Sequence, residues 1–211
     1  MPVTEPFGGR GLHGVLHRPD RPSGDGLVLA HGAGGSCNAP VLVATAEAFC
    51  GAGLAVLRID LPFRQRRPRG PPSPHAAAED RDGLRRAVTA LREIASGRIC
   101  LGGHSYGGRQ ATMLAAEEPA LAAALLLLSY PLHPPNKPDV LRTKHFPQLR
   151  VGCVFVHGTN DPFGTIDEMR EAIALITAPT TLIAVAGAGH DLKRGRFDRQ
   201  AAVHSLLSFR S

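Results

Sequence analysis

The chain has no tryptophan and only two tyrosines among 211 residues, and its 18 acidic side chains are outnumbered by 24 lysines and arginines, for a net charge of +6. Scarce aromatics remove the usual stacking platform for nucleic acid, and no zinc-finger, helix-turn-helix or RNP-like pattern accompanies the basic surplus. The richest basic stretch, 58–69 (Arg58, Arg64, Arg66, Arg67, Arg69), is interrupted by prolines and reads as a solvated basic loop. No nucleic-acid partner is expected. Cysteines are few: Cys37, Cys50, Cys100 and Cys153 are far apart and form no Cys-x-x-Cys pair. That spacing suits neither a zinc site nor a redox dithiol, and a disulfide framework is not expected, so they read as small buried apolar residues. No metal and no cofactor is expected, since no His-Glu-x-x-His or comparable ligand motif occurs.

Long hydrophobic runs are also missing. The longest near-continuous one, 120–128, is too short to cross a bilayer, and no membrane partner is expected. The first residues (Met1-Pro2-Val3-Thr4-Glu5-Pro6) have no apolar signal core, so a cytoplasmic location is the expectation. Oligomeric state is left open.

What is present is the composition of a folded domain, 43% hydrophobic and 20% charged. No repeat or long linker divides it, and a single domain over 1–211 is expected. Short apolar runs at 12–17, 27–30, 54–59, 99–101, 123–129, 151–156 and 180–185 read as strands. Between them, 40–50, 76–95, 108–117, 166–176 and 197–209 read as helices. Strand–helix alternation with near-continuous apolar strands predicts an α/β fold: a central, mostly parallel sheet with helices on both faces. In such sheets ligands bind beyond the carboxyl ends of the strands. The residues that follow the strands are His31-Gly32-Ala33-Gly34-Gly35, Asp60, Gly103 to Gly108, His157 to Asp161, and Gly187 to Asp191.

Gly103-His104-Ser105-Tyr106-Gly107 matches Gly-x-Ser-x-Gly, a pattern that 24 glycines make weak by itself. Its setting strengthens it, because Ile99-Cys100-Leu101 supplies a strand before it and 109–117 a helix after it. Ser105 is therefore the candidate nucleophile. A serine hydroxyl needs a base, and of ten histidines His190 sits in a glycine-relaxed loop after the last strand, at the correct edge. His31 and His157 end strands before glycines, where a structural hydrogen bond is the commoner role. Asp161, after the preceding strand, is the candidate to orient His190. Asp191 is the weaker choice, because consecutive side chains diverge, and Asp60 alternatively fixes its own loop. The chain order Ser105, Asp161, His190 is the order of α/β-hydrolases. Backbone N–H groups of Tyr106 and of Ala33, with Gly34 as the alternative to Ala33, are the candidate oxyanion donors.

With these pieces in order, the chain resembles the α/β-hydrolase superfamily over nearly its whole length, particularly the dienelactone-hydrolase-like branch. It is most similar to a group of small hydrolase-like proteins that includes a testis-expressed vertebrate protein and a subunit of a chromatin acetyltransferase complex. The residues carrying that likeness are His31 to Gly35, Ser129-Tyr130-Pro131-Leu132-His133-Pro134-Pro135 and Gly158-Thr159-Asn160-Asp161-Pro162-Phe163-Gly164. The resemblance implies the triad on the carboxyl edge of the sheet. Dienelactone hydrolases proper use a cysteine nucleophile where this chain has Ser105, so their specific substrate does not carry over.

The expectation is a serine hydrolase cleaving a small ester, carboxylesterase-like, with a small-molecule ester as its partner. Only about twenty proline-rich residues separate the 123 and 151 strands, where larger relatives insert a cap, so the site should be open and uncapped. Lys137, Arg64 and Arg66 read as solvated surface, with contact to an anionic acyl group as the alternative. Two rivals remain: a non-catalytic interaction module of the same fold, and a dinucleotide fold built on Gly32-x-Gly34 and Asp60. The second is weakened by Cys37 at its third glycine position and by Pro40.

Overall fold

Four strands are buried end to end: Gly26–Ala30, Ala55–Ile59, Ala124–Leu128 and Gly152–Gly158. A strand buried on both faces must be covered on both faces, and the computed structural model, which describes residues 1–9 and 11–209, shows how. Eight strands form one sheet: β1 (Val3–Gly9), β2 (Leu12–Arg18), β3 (Gly26–Ala30), β4 (Ala55–Ile59), β5 (Ile99–His104), β6 (Ala124–Leu128), β7 (Gly152–Gly158) and β8 (Thr180–Val185). Their order is β1-β2-β4-β3-β5-β6-β7-β8. The β1–β2 and β2–β4 pairs are antiparallel and all the others parallel.

Alternate side chains along each central strand go to opposite cores. Val28, Leu101, Leu125, Leu127 and Phe155 pack with helices α3 (Ala77–Arg92) and α4 (Tyr106–Glu117) through Leu84, Val88, Ala111 and Leu114. Leu27, Leu29, Leu126, Leu128 and Val154 pack with α1 (Pro40–Gly51) and α6 (Arg199–Ser208) through Leu42, Phe49, Val203 and Leu206. Each fully buried leucine contributes about 1.5–3 kcal/mol of transfer free energy, so the two layers hold the sheet from both sides. Two shorter helices complete the set, α2 (Pro62–Arg66) and α5 (Ile166–Ile173). Among the described residues no helix is long and apolar enough to cross a membrane.

The expected strands and long helices are all present, with shifted ends. Strand β5 runs on past the expected 99–101 through Gly102 and Gly103, and a Cβ at Gly102 would meet Leu126 O at 2.1 Å, so the close pairing with β6 admits only glycine there. Strand β1 was not foreseen. It is an edge strand with mostly exposed residues and an internal Pro6, so it carries no hydrophobic alternation. Helix α2 was not foreseen either, and it corrects the reading of 58–69 as a solvated loop. Arg58 lies within β4, 3% exposed, and Arg64 in α2 is 6% exposed, while Arg66, Arg67 and Arg69 are exposed as expected.

Topology creates the site. From β3 the chain steps outward to β4, and from β5 it steps the opposite way to β6. The adjacent carboxyl ends of β3 and β5 therefore open a crevice at the reversal point. The β6–β7 connection does not cap it, since Tyr130, Leu132, Phe146 and Leu149 turn into the α3/α4 core.

Burial shifts several histidines toward the neutral form, among them His17, His104 and His145. Arg58 Nε donates to His17 Nε2 at 2.8 Å, which requires an unprotonated imidazole, and burial, with the Arg58 charge added, lowers His17 to about 4. Burial likewise lowers His104 and His145 to about 4. The unfolded chain, with histidines near 6.5, binds more protons than the native state between that value and 4. Stability should therefore fall as pH drops through this window and be independent of these groups above it. Thermal unfolding followed from pH 7.5 to 4.5 should show this slope, and His145→Gln should flatten it; an unchanged slope would refute the assignment for His145.

Candidate active site

At the end of β5 the chain must reverse into α4 within one residue. Ser105 does so at φ 50° and ψ −114°, a strained conformation for a residue with a Cβ. The turn is possible because its flanks are bare: a Cβ at Gly103 or Gly107 would come within 2.4 or 2.6 Å of Ala30 O. Ser105 N–H donates to Leu128 O at 2.8 Å and Gly107 N–H to His31 O at 3.1 Å, which stitches the turn to β6 and β3. The serine side chain is thereby presented at the crevice.

His190, in the loop after β8, meets it. His190 Nε2 lies 2.7 Å from Ser105 Oγ, and its Nδ1 lies 2.8 Å from Asp161 Oδ2. Asp161, on the loop after β7, has a fully buried side chain, and its Oδ1 also accepts from Phe163 N–H at 2.9 Å. With Nδ1–H given to the carboxylate, Nε2 presents its lone pair to the serine hydroxyl. Phe163 stacks on the His190 ring, with centroids 4.2 Å apart. His104 Nε2–H donates to His190 O at 2.8 Å, and the neutral state of that buried imidazole fits a donor role. Asp191 turns away to Lys193.

The loop after β3 faces Ser105 from the other side. Gly32 O accepts from His31 Nδ1 at 2.8 Å and from Gly35 N–H at 3.0 Å. A trans peptide points its C=O and N–H in opposite directions, so holding Gly32 O inward turns the Ala33 N–H outward. Among the described residues no turn or loop bond takes up the Ala33 or Tyr106 N–H. Beneath the loop sits Arg64. Its Nη2 donates to Ala33 O at 2.7 Å and its Nε to Gly35 O at 2.7 Å. Further bonds run to Arg67 O at 3.1 Å and Gly70 O at 3.0 Å. Asp80 links the two halves, accepting from Phe63 N–H at 3.0 Å and from Tyr106 Oη–H at 2.7 Å.

Sequence reasoning had not singled out Asp80 or Phe163 as site residues, and it had weighed Arg64 only as solvated surface or as a contact to an anionic acyl group, not as a support beneath the loop. Asp80 sits in an ordinary helical pattern, Phe163 in a loop, and Arg64 in a proline-punctuated run, so no local signal marks them. Neither Lys137 nor Arg66 borders the crevice, and Arg66 pairs instead with Glu79. His31 and His157 are structural, as expected: His31 Nε2 accepts from Leu61 N–H, and His157 Nε2 donates to Gly164 O. Asp60 uses both oxygens on neighbouring segments, accepting from Cys37 N–H at 2.6 Å and pairing with His13 Nδ1 at 2.9 Å. All four cysteines are free and buried.

A family model described as an α/β-hydrolase domain matches residues 24–207. The chain belongs to that family. Solved structures with distant sequences share its fold closely. A dienelactone hydrolase from Anabaena variabilis is 22% identical, with 100% of this chain and 99% of that chain covered and a TM-score of 0.75. A serine hydrolase without a lid from Xanthomonas campestris is 18% identical over 96% of this chain and 92% of its own, with a TM-score of 0.70. Est1E from Butyrivibrio proteoclasticus is 16% identical over 96% and 95%, with a TM-score of 0.72. The chain is thus a hydrolase-fold protein whose neighbours are dienelactone-hydrolase-like, with no large cap.

Arg64→Met should test the support beneath the loop. It strips four backbone carbonyls of a charged donor in a site where little water can replace it, at a cost of roughly 2–4 kcal/mol. Urea unfolding should show that loss, and amide exchange should quicken at 33–36. Wild-type exchange there would mean the loop holds itself.

Proposed function

We propose that this chain is a serine hydrolase that cleaves small ester-type substrates through an acyl-enzyme, with Ser105, His190 and Asp161 as its triad. The observation that carries the reading is the continuous chain of contacts from Asp161 Oδ2 to His190 Nδ1, at 2.8 Å, and from His190 Nε2 to Ser105 Oγ, at 2.7 Å. In this reading Ser105 Oγ attacks the carbonyl carbon while His190 Nε2 takes its proton. The N–H groups of Ala33 and Tyr106 stabilise the resulting oxyanion. Collapse breaks the bond to the leaving alcohol, which receives the proton from His190. Water then attacks the acyl-serine, His190 takes that water's proton, and collapse of the second tetrahedral species returns it to Ser105 Oγ. Asp161 keeps the imidazole in the required tautomer throughout, and His104 positions it from behind by holding the His190 carbonyl.

The crevice supports a small acyl group. It encloses about 480 Å³, with Ala39, Pro40, Val41 and Phe163 as apolar walls and Asp191 and Lys193 as charged residues. Est1E, of the same fold, has been solved with ferulic acid bound, which fits a compact carboxylic acid at such a site. The closer kinship proposed here, with the small testis-expressed and chromatin-acetyltransferase-subunit hydrolase-like group, rests on the Tyr130-Pro131-Leu132-His133-Pro134-Pro135 segment. Against the alternative of a non-catalytic interaction module of the same fold, the short contacts at Ser105 and His190 favour chemistry in this chain.

A fluorophosphonate probe should label the protein at Ser105. Ser105→Ala should abolish labelling and lower kcat on short-chain chromogenic esters by at least about 10⁴-fold, with the fold intact by circular dichroism. Turnover near the wild-type rate in that variant would overturn the proposal.

A further inference from the structure

Three residues with no common sequence motif meet on the far side of the glycine loop. His13 comes from β2, Cys37 from the loop after β3, and Asp60 from the end of β4. The nitrogen, sulfur and oxygen donor atoms they offer all lie within 4.8 Å of one another. Ligands arranged tetrahedrally around a zinc-sized ion, with bonds of about 2.0–2.3 Å, stand roughly 3.3–3.8 Å apart. The cluster needs to contract by only about an ångström, and the exposed His13 side chain can supply that movement. We propose that His13, Cys37 and Asp60 form a binding site for a divalent transition-metal cation of the zinc type, with water completing the coordination.

Charge and protonation favour this occupant. A thiolate, a carboxylate and a neutral imidazole together carry two negative charges, matching a divalent ion. Two hydrogen bonds already converge on the Asp60 carboxylate, one between its Oδ2 and His13 Nδ1 at 2.9 Å and one from the Cys37 N–H to its Oδ1 at 2.6 Å. A metal would take the place of the proton bridging His13 and Asp60, with the thiol proton leaving to solvent and the imidazole proton residing on Nε2. Burial and Asp60 push the free thiol up to about 11, but a bound cation reverses that balance and deprotonates a coordinating thiol outright. Arg58, beside Cys37, further favours a thiolate, and its own charge is offset by Glu47.

Neighbouring imidazoles do not compete for the ion. His31 has both nitrogens engaged, with Gly32 O and Leu61 N–H, and His17 Nε2 accepts from Arg58. The entry path is open at His13, whose side chain is 66% exposed, while Asp60 and Cys37 form the floor. Asp60 Oδ1 can keep its bond to the Cys37 N–H while Oδ2 binds the ion. The cation would thus clamp the glycine loop at its far end, opposite the Arg64 contacts.

Titration of the full chain with cobalt(II) chloride, under a phosphine reductant, should give a one-equivalent thiolate-to-cobalt charge-transfer band and the visible bands of a tetrahedral centre. Zinc should displace them and raise the melting temperature. Cys37→Ser should remove the charge-transfer band. His13→Ala, a change at an exposed side chain, should weaken cobalt binding by at least about tenfold and abolish the zinc-induced rise in melting temperature. Absence of the charge-transfer band in the wild-type protein, or a band and affinity unchanged in His13→Ala, would overturn the proposal. These readouts do not depend on hydrolysis, so their failure is distinct from failure of the hydrolase reading.

Discussion

Everything at the crevice depends on one steric constraint: a residue with a Cβ held at φ 50° between a strand and a helix. Such a backbone state costs of order 1–3 kcal/mol and persists only when the surroundings overdetermine it. Here they do so through backbone alone. Ala30 O lies where a side chain at Gly103 or Gly107 would have to stand, and Leu128 O and His31 O anchor the amides on either side of the turn. The strain is held in place by packing around β3, β5 and β6, in the interior of the sheet. A core mutation in these strands would therefore reach Ser105 without touching it.

A second layer of support is electrostatic, and it comes from an unexpected quarter. Arginine is seldom buried without partners. Arg64 is buried because four backbone carbonyls, two of them from the glycine loop, spend their lone pairs on one guanidinium. The same contacts fix which way the peptide planes face, and they place a positive charge behind the loop. Asp80 then couples α2 to the residue after the serine through Phe63 N–H and Tyr106 Oη. Both candidate oxyanion donors are consequently held from one side by a five-residue helix.

The fold was legible because the physics of a doubly covered parallel sheet is written locally. Runs such as Ala124–Leu128 have no polar face, and glycines and polar residues gather where each strand ends. Ser105, Asp161 and His190 could be picked out for that reason, each lying just past a strand on the same edge. Strand β1 was not legible: an exposed edge strand with Pro6 carries no pattern that a loop lacks. Nor was the role of Arg64, because a buried arginine and a solvated one look identical in sequence. What separates them is a set of carbonyls supplied by Ala33 and Gly35, some thirty residues upstream. The same limit applies to His13, Cys37 and Asp60, which only the strand order brings together.

The absence of a cap constrains the proposed chemistry further. The connection between β6 and β7 buries Tyr130 and Phe146 in the core, and Tyr130 Oη ties back to Arg142 O at 2.7 Å, so this segment is committed elsewhere. Beyond Ser105 and its histidines, a substrate in the crevice would meet the Ala39–Val41 wall, Phe163, Asp191, Lys193 and the loop backbone, and would keep much of its surface in water. Little binding energy is then available from remote groups to distort or desolvate it. Rate enhancement must come mainly from donors and nucleophile that are correctly placed before binding. That requirement explains why so much of the buried polar structure, Arg64, Asp80, His104 and Asp161, is spent on holding the site rigid rather than on touching a ligand.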